Sequence, residues 1–303
     1  MEHPGVSTIA ALDPRPVLDD LSVVIPTVGR VILERCLHYI AVGSAWPARL
    51  IVVDQGSSPM VAAWLAQLRS LGLETYYVPS SQRGRAAAVN RGLERVQTRF
   101  VAVTDDDCFV DRDWLASMAA HLREYPEAII TGRVEAEGDE AVLVVVNSRT
   151  SAIQRRPRLK YDSMCGGNMG VALATIQRIG LLDEDTCLRT AEDGEYAYRA
   201  LRAGTAIVYA PDVAVRHFGW RAPAERATQY RDYARSHAGF FGKYLRRGDW
   251  FIALRIIVHV ARALRRWLRG VVTADRDLAL NGRAYVIELL PGLIAGWRSG
   301  KHI

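Results

Sequence analysis

Residues 99–108 read RFVAVTDDDC, an apolar run followed directly by three aspartates. The run FVAV at 100–103 predicts a buried strand, and the aspartates stand where that strand would end. In an extended segment, residues two apart point the same way, so we expect Asp105 and Asp107 to share one face. Asp106 would then turn aside and matter least. The triplet alone is consistent with a solvated acidic loop or with a site for Mg²⁺ or Mn²⁺.

Outward from this stretch, apolar runs that predict strands alternate with helical stretches joined by short connections. Predicted strands lie at 21–27, 50–57, 74–80, 99–107 and 127–135, and predicted helices at 31–42, 59–71, 83–96 and 113–125. This alternation predicts an α/β fold, a Rossmann-like, mostly parallel sheet flanked by helices. Ligands of such sheets bind outside the carboxyl ends of the strands, where Thr27, Asp54 and the aspartate triplet stand. The sequence therefore predicts a polar site at this edge of the sheet.

The segment RGRAAAVNRG (83–92) could be mistaken for a phosphate-binding loop. It lacks both GxGxxG and GxxxxGK[ST], which argues against a dinucleotide-dependent dehydrogenase and a P-loop NTPase. Arg85 could reach a phosphate and Asn90 a sugar, while a solvated helix face is the simpler interpretation. For Asp54, the alternatives are a hydrogen bond to a nucleoside and an Asx turn or helix cap.

The second half of the chain adds titratable candidates. A predicted helix opens with Glu192 and Asp193, which either complement the helix dipole or supply a general base in Asp193. His217 follows a predicted strand; a lone histidine is more often structural, but this one could bind a metal or phosphate. Trp220 nearby could supply a stacking wall. The basic stretch 147–165 predicts an irregular, mobile loop.

Taken in order, these segments resemble the inverting glycosyltransferases of family 2, which have the GT-A fold. The resembling stretches, all between residues 21 and 220, are VVIPTVGR, IVVDQGS, RGRAAAVNRG, FVAVTDDDCFVDRDWL, CGGNMGVAL, LLDE, AEDGEYAYRALRAG and VYAPDVAVRHFGW. The resemblance implies a UDP-, dTDP- or GDP-linked sugar donor, a carbohydrate or lipid-linked acceptor, and Mn²⁺ or Mg²⁺ as cofactor. It implies transfer to an acceptor hydroxyl in cell-envelope, polysaccharide or glycolipid synthesis.

The resemblance also implies roles for single residues. The donor nucleotide would be bound by Pro26, Thr27, Arg30, Asp54, Arg85, Asn90, Asp105 and Asp106. The metal would be bound by Asp105, Asp107 and His217. The acceptor and sugar pocket would be lined by Gly166, Gly167, Asn168 and Trp220. Asp193 would be the catalytic base, with Glu192 beside it in the ED motif.

Two other classes of function stay open at this point. Nucleotidyl transfer uses similar sheets and paired aspartates, but it usually needs a glycine-rich loop with a basic residue directly after the first strand. The stretch PTVGR (26–30) supplies only Arg30. A non-catalytic nucleotide-binding protein of the same fold is the other class, and the intact set of acidic motifs and His217 argues against it.

Composition and charge divide the chain of 303 residues. Its net charge of +6 is uneven, since residues 221–303 carry 16 Lys/Arg against 6 Asp/Glu. We expect a loose leader at 1–20, a catalytic domain at 21–220 and a helical basic extension at 221–303. The four scattered cysteines are typical of reduced cytoplasmic thiols. Neither a signal peptide nor an ordinary transmembrane helix is indicated.

The stretch FIALRIIVHVARALRRWLRGVV (251–272) predicts an amphipathic helix. Its polar face is a stripe of Arg255, His259, Arg262, Arg266 and Arg269, opposite an apolar stripe. The helix could pack within the protein or a homo-oligomer with the basic face in solvent, or residues 240–272 could lie on an anionic membrane surface. The second interpretation is favoured and would make the protein peripheral on the inner face of the membrane. No nucleic-acid motif accompanies the arginines, so no nucleic acid is expected.

Overall fold

A computed structural model describes residues 5–9, 13–138, 146–219 and 223–299 of the chain, so Trp220 lies outside the described residues. The strands are β1 Val17–Thr27, β2 Trp46–Asp54, β3 Thr75–Pro79, β4 Phe100–Thr104, β5 Cys108–Val110, β6 Ile129–Glu137, β7 Ala152–Gln154, β8 Asn168–Ala172 and β9 Ile207–Phe218. The helices are α1 Ile32–Ala41, α2 Pro59–Ser70, α3 Arg85–Leu93, α4 Trp114–Glu124, α5 Leu173–Ile179, α6 Glu192–Arg202, α7 Arg226–Arg246, α8 Trp250–Val272, α9 Arg276–Ile287 and α10 Leu289–Ser299.

The strands form one sheet in the order β3-β2-β1-β4-β8-β6-β9-β5, with β7 paired to β9. Strands β1 to β4, β6 and β9 run in one direction, and β5, β7 and β8 run in the other. The predicted α/β fold with a mostly parallel sheet is therefore confirmed. Because β1 lies between β2 and β4, the carboxyl ends of these three strands are neighbours at one edge of the sheet.

The strand predicted over 99–107 ends earlier than expected. All five residues of β4 are buried, as the apolar run predicts. After Thr104 the chain turns, and the Cys108 N–H donates to the Asp105 carbonyl at 3.1 Å. The turn leads into β5, which pairs antiparallel with β9 and sets Cys108 opposite His217. The three aspartates therefore lie in a turn, where the alternation of an extended segment does not apply.

The chain forms two compact units. Unit 1 comprises Met1–Arg156, Ser163–Leu182 and Arg199–Trp220, and it contains the whole sheet. Unit 2 comprises Pro157–Asp162, Asp183–Tyr198 and Arg221–Ile303. One change of unit thus coincides with the predicted boundary at 220/221. Nothing in the sequence pattern indicated that 157–162 and 183–198 would join unit 2.

Two segments expected to be irregular contain ordered structure. In the predicted leader, Val6 is fully buried in the core of unit 1, and β1 already begins at Val17. In the predicted basic loop, Ala152–Gln154 forms β7 and pairs with β9. Val6 is an isolated apolar residue and β7 is joined to β9 by backbone pairing, so neither segment had a hydrophobic periodicity to detect.

Unit 2 is built around aromatic side chains. Tyr198, Phe240 and Tyr244 pack edge to face, with ring centroids 5.0 to 5.4 Å apart. Helices α7 and α10 approach closely because a glycine stands at the contact: a Cβ on Gly296 would lie 1.8 Å from the Gly239 carbonyl oxygen. Among the residues that the structure describes, no single helix is long and apolar enough to cross a bilayer, whereas α9 and α10, bent by 43°, satisfy that criterion as a pair.

Helix α8 confirms the predicted amphipathic helix. Its basic side, however, does not face solvent as one interpretation expected. Arg255 is 2 % exposed and its guanidinium bonds to the Arg158 carbonyl and, at 2.8 Å, to Asp162. His259 meets the Lys160 carbonyl at 2.6 Å, and Arg266 lies over the ring of Tyr285. Most of the basic stripe therefore faces the protein, because carbonyls and a carboxylate of unit 2 satisfy it.

Candidate functional site

The centre of the site in unit 1 is the turn after β4. Asp106 is 2 % exposed, and its Oδ2 accepts a hydrogen bond from the Thr27 hydroxyl at 2.6 Å. The Arg30 guanidinium bonds to both oxygens of Asp106 and reaches Asp107 at 3.2 Å. Burial raises the pKa of Asp106 to about 6, although the hydrogen bonds and charge of Arg30 oppose the rise. Asp106 therefore joins the end of β1 to the end of β4, and its lesser weight in function stays a prediction.

Asp105 is held by a different arginine. The Arg85 Nε donates to Asp105 Oδ1 at 2.7 Å. Both groups press against the glycine pair that precedes β8: a Cβ on Gly166 would lie 2.8 Å from Arg85 Nη1, and a Cβ on Gly167 would lie 2.8 Å from Asp105 Oδ2. Any side chain at these two positions would push the arginine or the carboxylate away. The structure thus brings together Arg85 and Asp105, which the resemblance assigns to the donor nucleotide, and Gly166 and Gly167, which it assigns to the acceptor and sugar pocket. These roles stay predictions.

Three side chains near the same turn could hold a metal ion. Ligand atoms of Asp107, Cys108 and His217 all lie within 4.8 Å of one another, and Asp107 Oδ1 is 3.4 Å from His217 Nε2. The carboxylate of Asp107 is a donor that Mn²⁺ and Mg²⁺ prefer, and the imidazole of His217 is a common ligand of divalent metals, so these two residues fit the cofactor implied by the resemblance. A thiol is a softer donor that suits these two cations less well. Asp105 is not a member of this group, and its metal role stays a prediction.

Cys108 is the member of this group that the sequence did not single out. It follows the aspartates directly, but scattered cysteines without metal-site spacing indicated only ordinary thiols. Burial, reinforced by the neighbouring Asp107 and Asp105, holds the pKa of Cys108 well above its ordinary value. The pairing of β5 with β9 is what sets it opposite His217.

Asp54 has the contacts of a structural cap. It is fully buried, and its carboxylate accepts hydrogen bonds from the N–H groups of Gly56 at 2.7 Å and Ser58 at 2.6 Å, and from the Tyr77 hydroxyl at 3.2 Å. These bonds correspond to the Asx turn before α2. In the pairing of β1 with β2, Asp54 lies opposite Thr27, so it stands at the same edge of the sheet as the three aspartates. A bond from Asp54 to a nucleoside stays a prediction.

Two asparagines assigned to the site by resemblance are buried and bonded within the protein. Asn90 is 3 % exposed, and both ends of its amide pair with the main chain of Leu182 at 2.8 and 3.0 Å. Asn168 is fully buried and bonds to the Trp114 indole and to the carbonyls of Arg133 and Val213. These amides have their hydrogen bonds within the protein, which gives each a packing role, and contact of either with the donor or a sugar stays a prediction. Pro26, inside β1, is also buried.

The acidic pair assigned to catalysis lies in unit 2, at the start of α6. Asp193 is half-buried, and its Oδ1 accepts the Gly194 N–H at 2.7 Å. Glu192 is 5 % exposed, and Glu195 accepts a hydrogen bond from the Tyr244 hydroxyl at 2.6 Å. Carboxylates in this first turn also complement the helix dipole. Asp193 is therefore the more accessible of the two members of the ED motif.

Lys243 fixes the segment that leads into α6. Its ammonium group is 2 % exposed and lies 2.5 Å from Asp183 and 3.3 Å from Asp185. A buried lysine is stable only when such partners surround it. No motif in the sequence singles out Lys243, and its only signal there is a lone lysine inside the apolar stretch FFGKYL (240–245).

The sheet order and the acidic turn after β4 define the class, which is the GT-A fold. Residues 1–349 of TarS from S. aureus match with a TM-score of 0.57 at 15 % identity, over 93 % of this chain and 92 % of that one. The mannosyltransferase PcManGT from Pyrobaculum calidifontis, solved with GDP-Man and Mn²⁺, matches with a TM-score of 0.57 at 17 % identity, over 95 % and 87 %. At these identities the likeness establishes the fold alone.

The family follows from the sequence comparison. Residues 22–171 match the model of Glycosyl transferase family 2, so the chain contains a family 2 glycosyltransferase domain, as the resemblance predicted. The pre-mycofactocin glycosyltransferase of Mycobacterium tuberculosis is 30 % identical over 202 residues, which are 64 % of this chain and 41 % of that protein. Glycosyltransferase GlyA of Streptococcus pneumoniae is 23 % identical over 115 residues, 38 % of this chain and 16 % of that protein. The chain spans less than half the length of these relatives.

Proposed function

We propose that the protein is a metal-dependent, inverting glycosyltransferase that moves a sugar from a nucleoside-diphosphate sugar to an acceptor hydroxyl. The observation that carries this proposal is the convergence of Arg30, Asp107, Cys108 and His217 at the carboxyl edge of the sheet in a family 2 domain. Relatives that share the fold were solved with such donors, namely TarS with UDP-GlcNAc and PcManGT with GDP-Man and Mn²⁺.

In this proposal, Asp107 and His217 would hold the divalent cation, and the Cys108 thiol lies beside them. When bound, the cation would neutralise charge on the donor diphosphate and on the leaving nucleoside diphosphate. Arg30 is 27 % exposed in its side chain, so it can also face an anion while it holds Asp106. Its guanidinium offers several N–H donors in a geometry that matches phosphate oxygens.

Asp193 is the proposed general base. It would accept the proton of the acceptor hydroxyl as that oxygen forms its bond to the anomeric carbon and the bond to the diphosphate oxygen breaks. A single displacement of this kind inverts the anomeric configuration. Glu192, more deeply buried, would orient the start of α6 rather than exchange protons. We propose carbohydrate or lipid-linked acceptors of the cell envelope. The name of the mannosyltransferase neighbour supports sugar transfer but names no acceptor.

A donor panel tests the proposal. Thermal shift with UDP-, dTDP- and GDP-sugars, each with Mn²⁺, Mg²⁺ or a chelator, should identify one nucleotide that stabilises the protein only with metal. Release of the nucleoside diphosphate then measures turnover, and NMR of the product gives its anomeric configuration. If no nucleoside diphosphate produced a metal-dependent shift, the proposal would fail.

The base assignment has its own test. Asp193→Asn should lower turnover by at least about a hundredfold while it leaves the metal-dependent thermal shift unchanged, because the amide cannot accept the proton. Asp232→Asn, an exposed carboxylate of α7 in the same unit, is the control and should retain turnover. Near wild-type turnover in Asp193→Asn would show that another group is the base.

A further inference from the structure

Helix α8 presents its apolar side to solvent. The exposed residues form one stripe at helical spacing, made of Trp250, Leu254, Ile257, Leu264, Leu268 and Val271. Four of them, Trp250, Ile257, Leu268 and Val271, have between 63 and 70 % of their surface exposed. Of the 20 large apolar side chains exposed among the described residues, 12 lie between 250 and 297. Seven of these 12 lie on α8 itself, and such a concentration marks an interaction surface.

The opposite, basic side of α8 is already bonded to other residues of unit 2. Arg255 and His259 are bonded to the main chain of 158–160, and Arg262 lies over the ring of Tyr161 at 5.5 Å. A surface helix of a globular protein ordinarily buries its apolar stripe and exposes its charges. Here the charges are satisfied inside unit 2, so the apolar stripe is left for a partner outside it.

Charge decides which partner fits this stripe. Helix α8 contains no acidic residue, and the exposed Arg265 and Arg269 stand next to Leu264 and Leu268. The described residues 223–299 carry 14 Lys/Arg against 6 Asp/Glu. A second copy of this chain would bring two strongly basic surfaces together, which opposes association. An anionic lipid surface instead accepts apolar side chains below its headgroups and attracts the arginines.

Exposed tryptophans support the same partner. Trp250 at the start of α8 is 70 % exposed, and Trp297 near the end of α10 is 50 % exposed. Tryptophan is enriched at the boundary between water and lipid, where its ring lies at the level of the headgroups. Helix α10 adds exposed apolar residues at the same kind of spacing, Leu290 and Ile294.

We propose that the exposed stripe of α8 docks on an anionic lipid surface, with Ile257 and Leu268 below the headgroups and Arg265 and Arg269 against them. The proposal goes beyond the proposed sugar transfer and does not depend on it, since it concerns only the surface of unit 2.

Flotation of the full chain with vesicles tests this docking. The protein should float with phosphatidylcholine vesicles that contain about 30 mol % phosphatidylglycerol, and much less with phosphatidylcholine alone. The double variant Ile257→Asp/Leu268→Asp should lose at least about tenfold of this binding, because charged groups would have to enter the apolar layer. Arg265→Gln/Arg269→Gln should weaken binding only to the anionic vesicles, and less at high salt.

The matched control is Val17→Asp/Met60→Asp, which makes the same change of charge at two exposed apolar residues of unit 1. It should float like the wild type. Equal flotation of the Ile257→Asp/Leu268→Asp variant and the wild type would overturn the proposal. So would a wild type that does not float but sediments as a dimer that these two substitutions dissociate, since the stripe would then belong to a second copy.

Discussion

The two units each bury a charged group, and they differ in how far its partner is exposed. In unit 1, Asp106 is 2 % exposed in its side chain, while its partner Arg30 is 27 % exposed. In unit 2, Arg255 and its partner Asp162 are 3 % and 2 % exposed. The first pair is open on its cationic side and the second is closed on both sides.

The difference separates a pair that can respond to a ligand from one that maintains structure. Arg30 contacts Asp106 and Asp107 and still reaches solvent, so an incoming anion can share it. Arg255 is enclosed by the carbonyl of Arg158, Asp162 and the ring of Tyr198, so it fixes residues 157–162 against α8. Buried pairs of the closed kind are costly to break because the remaining charge has no solvent to replace its partner.

The largest expected effect is on turnover, at Asp107, which contacts Arg30 of the open pair. Asp107→Ala should lower turnover by at least about a hundredfold, because the cation that would neutralise the departing diphosphate loses its carboxylate ligand. The same variant should lose the Mn²⁺-dependent thermal shift with nucleoside diphosphate, which is a readout independent of activity. Asp113→Ala, at an exposed carboxylate that makes no capping bond, is the control. A metal-dependent shift that persisted in Asp107→Ala would remove this carboxylate from the metal site.

The closed pair should show the largest effect on stability. Arg255→Gln leaves Asp162 buried without its guanidinium, and we expect the free energy of unfolding to fall by about 3–5 kcal/mol in urea titrations. Arg265→Gln, on the exposed part of the same helix, should change it by less than about 0.5 kcal/mol. Similar losses in the two variants would mean that Arg255 is not enclosed as described.

The open pair should be less sensitive. Asp106→Asn keeps the shape of the side chain and an oxygen for the Thr27 hydroxyl, but it weakens the bonds from Arg30. We expect a loss of about 2 kcal/mol in the free energy of unfolding, since the arginine can recover hydration. Asp105→Asn, whose side chain is 25 % exposed, should lose about 1 kcal/mol or less. A larger loss of stability in Asp105→Asn than in Asp106→Asn would show that Asp105 contributes more than Asp106 to holding the turn.

The last prediction, with the smallest expected effect, concerns how the contribution of Lys243 to the free energy of unfolding depends on pH. Burial disfavours the charge of Asp185, but hydrogen bonds from Cys187 and Ser299 and the charge of Lys243 outweigh it and lower the pKa of Asp185 to about 2. Because this pKa lies below the unfolded value of about 3.9, the carboxylate stabilises the fold above that pH and loses this contribution as the pH falls towards 2.

Lys243→Met should therefore cost about 1 kcal/mol at neutral pH, because Asp183 and Asp185 stay partly solvated. The difference from the wild type should shrink as the pH falls from about 4 to about 2, in urea titrations at each pH. His121→Gln, which removes the histidine from an exposed pair with Asp212, is the comparison outside unit 2. A constant difference across this pH range would show that Lys243 acts through packing alone.

Much of the fold was readable from short-range pattern. Helix α1 was predicted over 31–42 and spans Ile32–Ala41, and the apolar run at 100–103 lies within β4. The errors lie where contacts with a distant segment determine the local structure. Strand β7 forms because it pairs with β9, and β4 ends because the chain turns so that β5 can pair with β9. Residues 183–198 join unit 2 because Lys243 and Tyr244 of α7 bind their carboxylates.

The sequence by itself determined the order of strands and helices, the family of the domain and the carboxylates at the end of β4. These follow from periodicity and from motifs of neighbouring residues, which need no knowledge of the rest of the chain. It also determined that α8 has one basic and one apolar side. Only the tertiary structure decided which side is buried, because that depends on whether carbonyls and Asp162 elsewhere in unit 2 can satisfy the arginines. In the same way, the sequence does not show that Cys108 and His217 are neighbours beside Asp107. They are neighbours because β5 and β9 pair in a register that places Cys108 opposite His217.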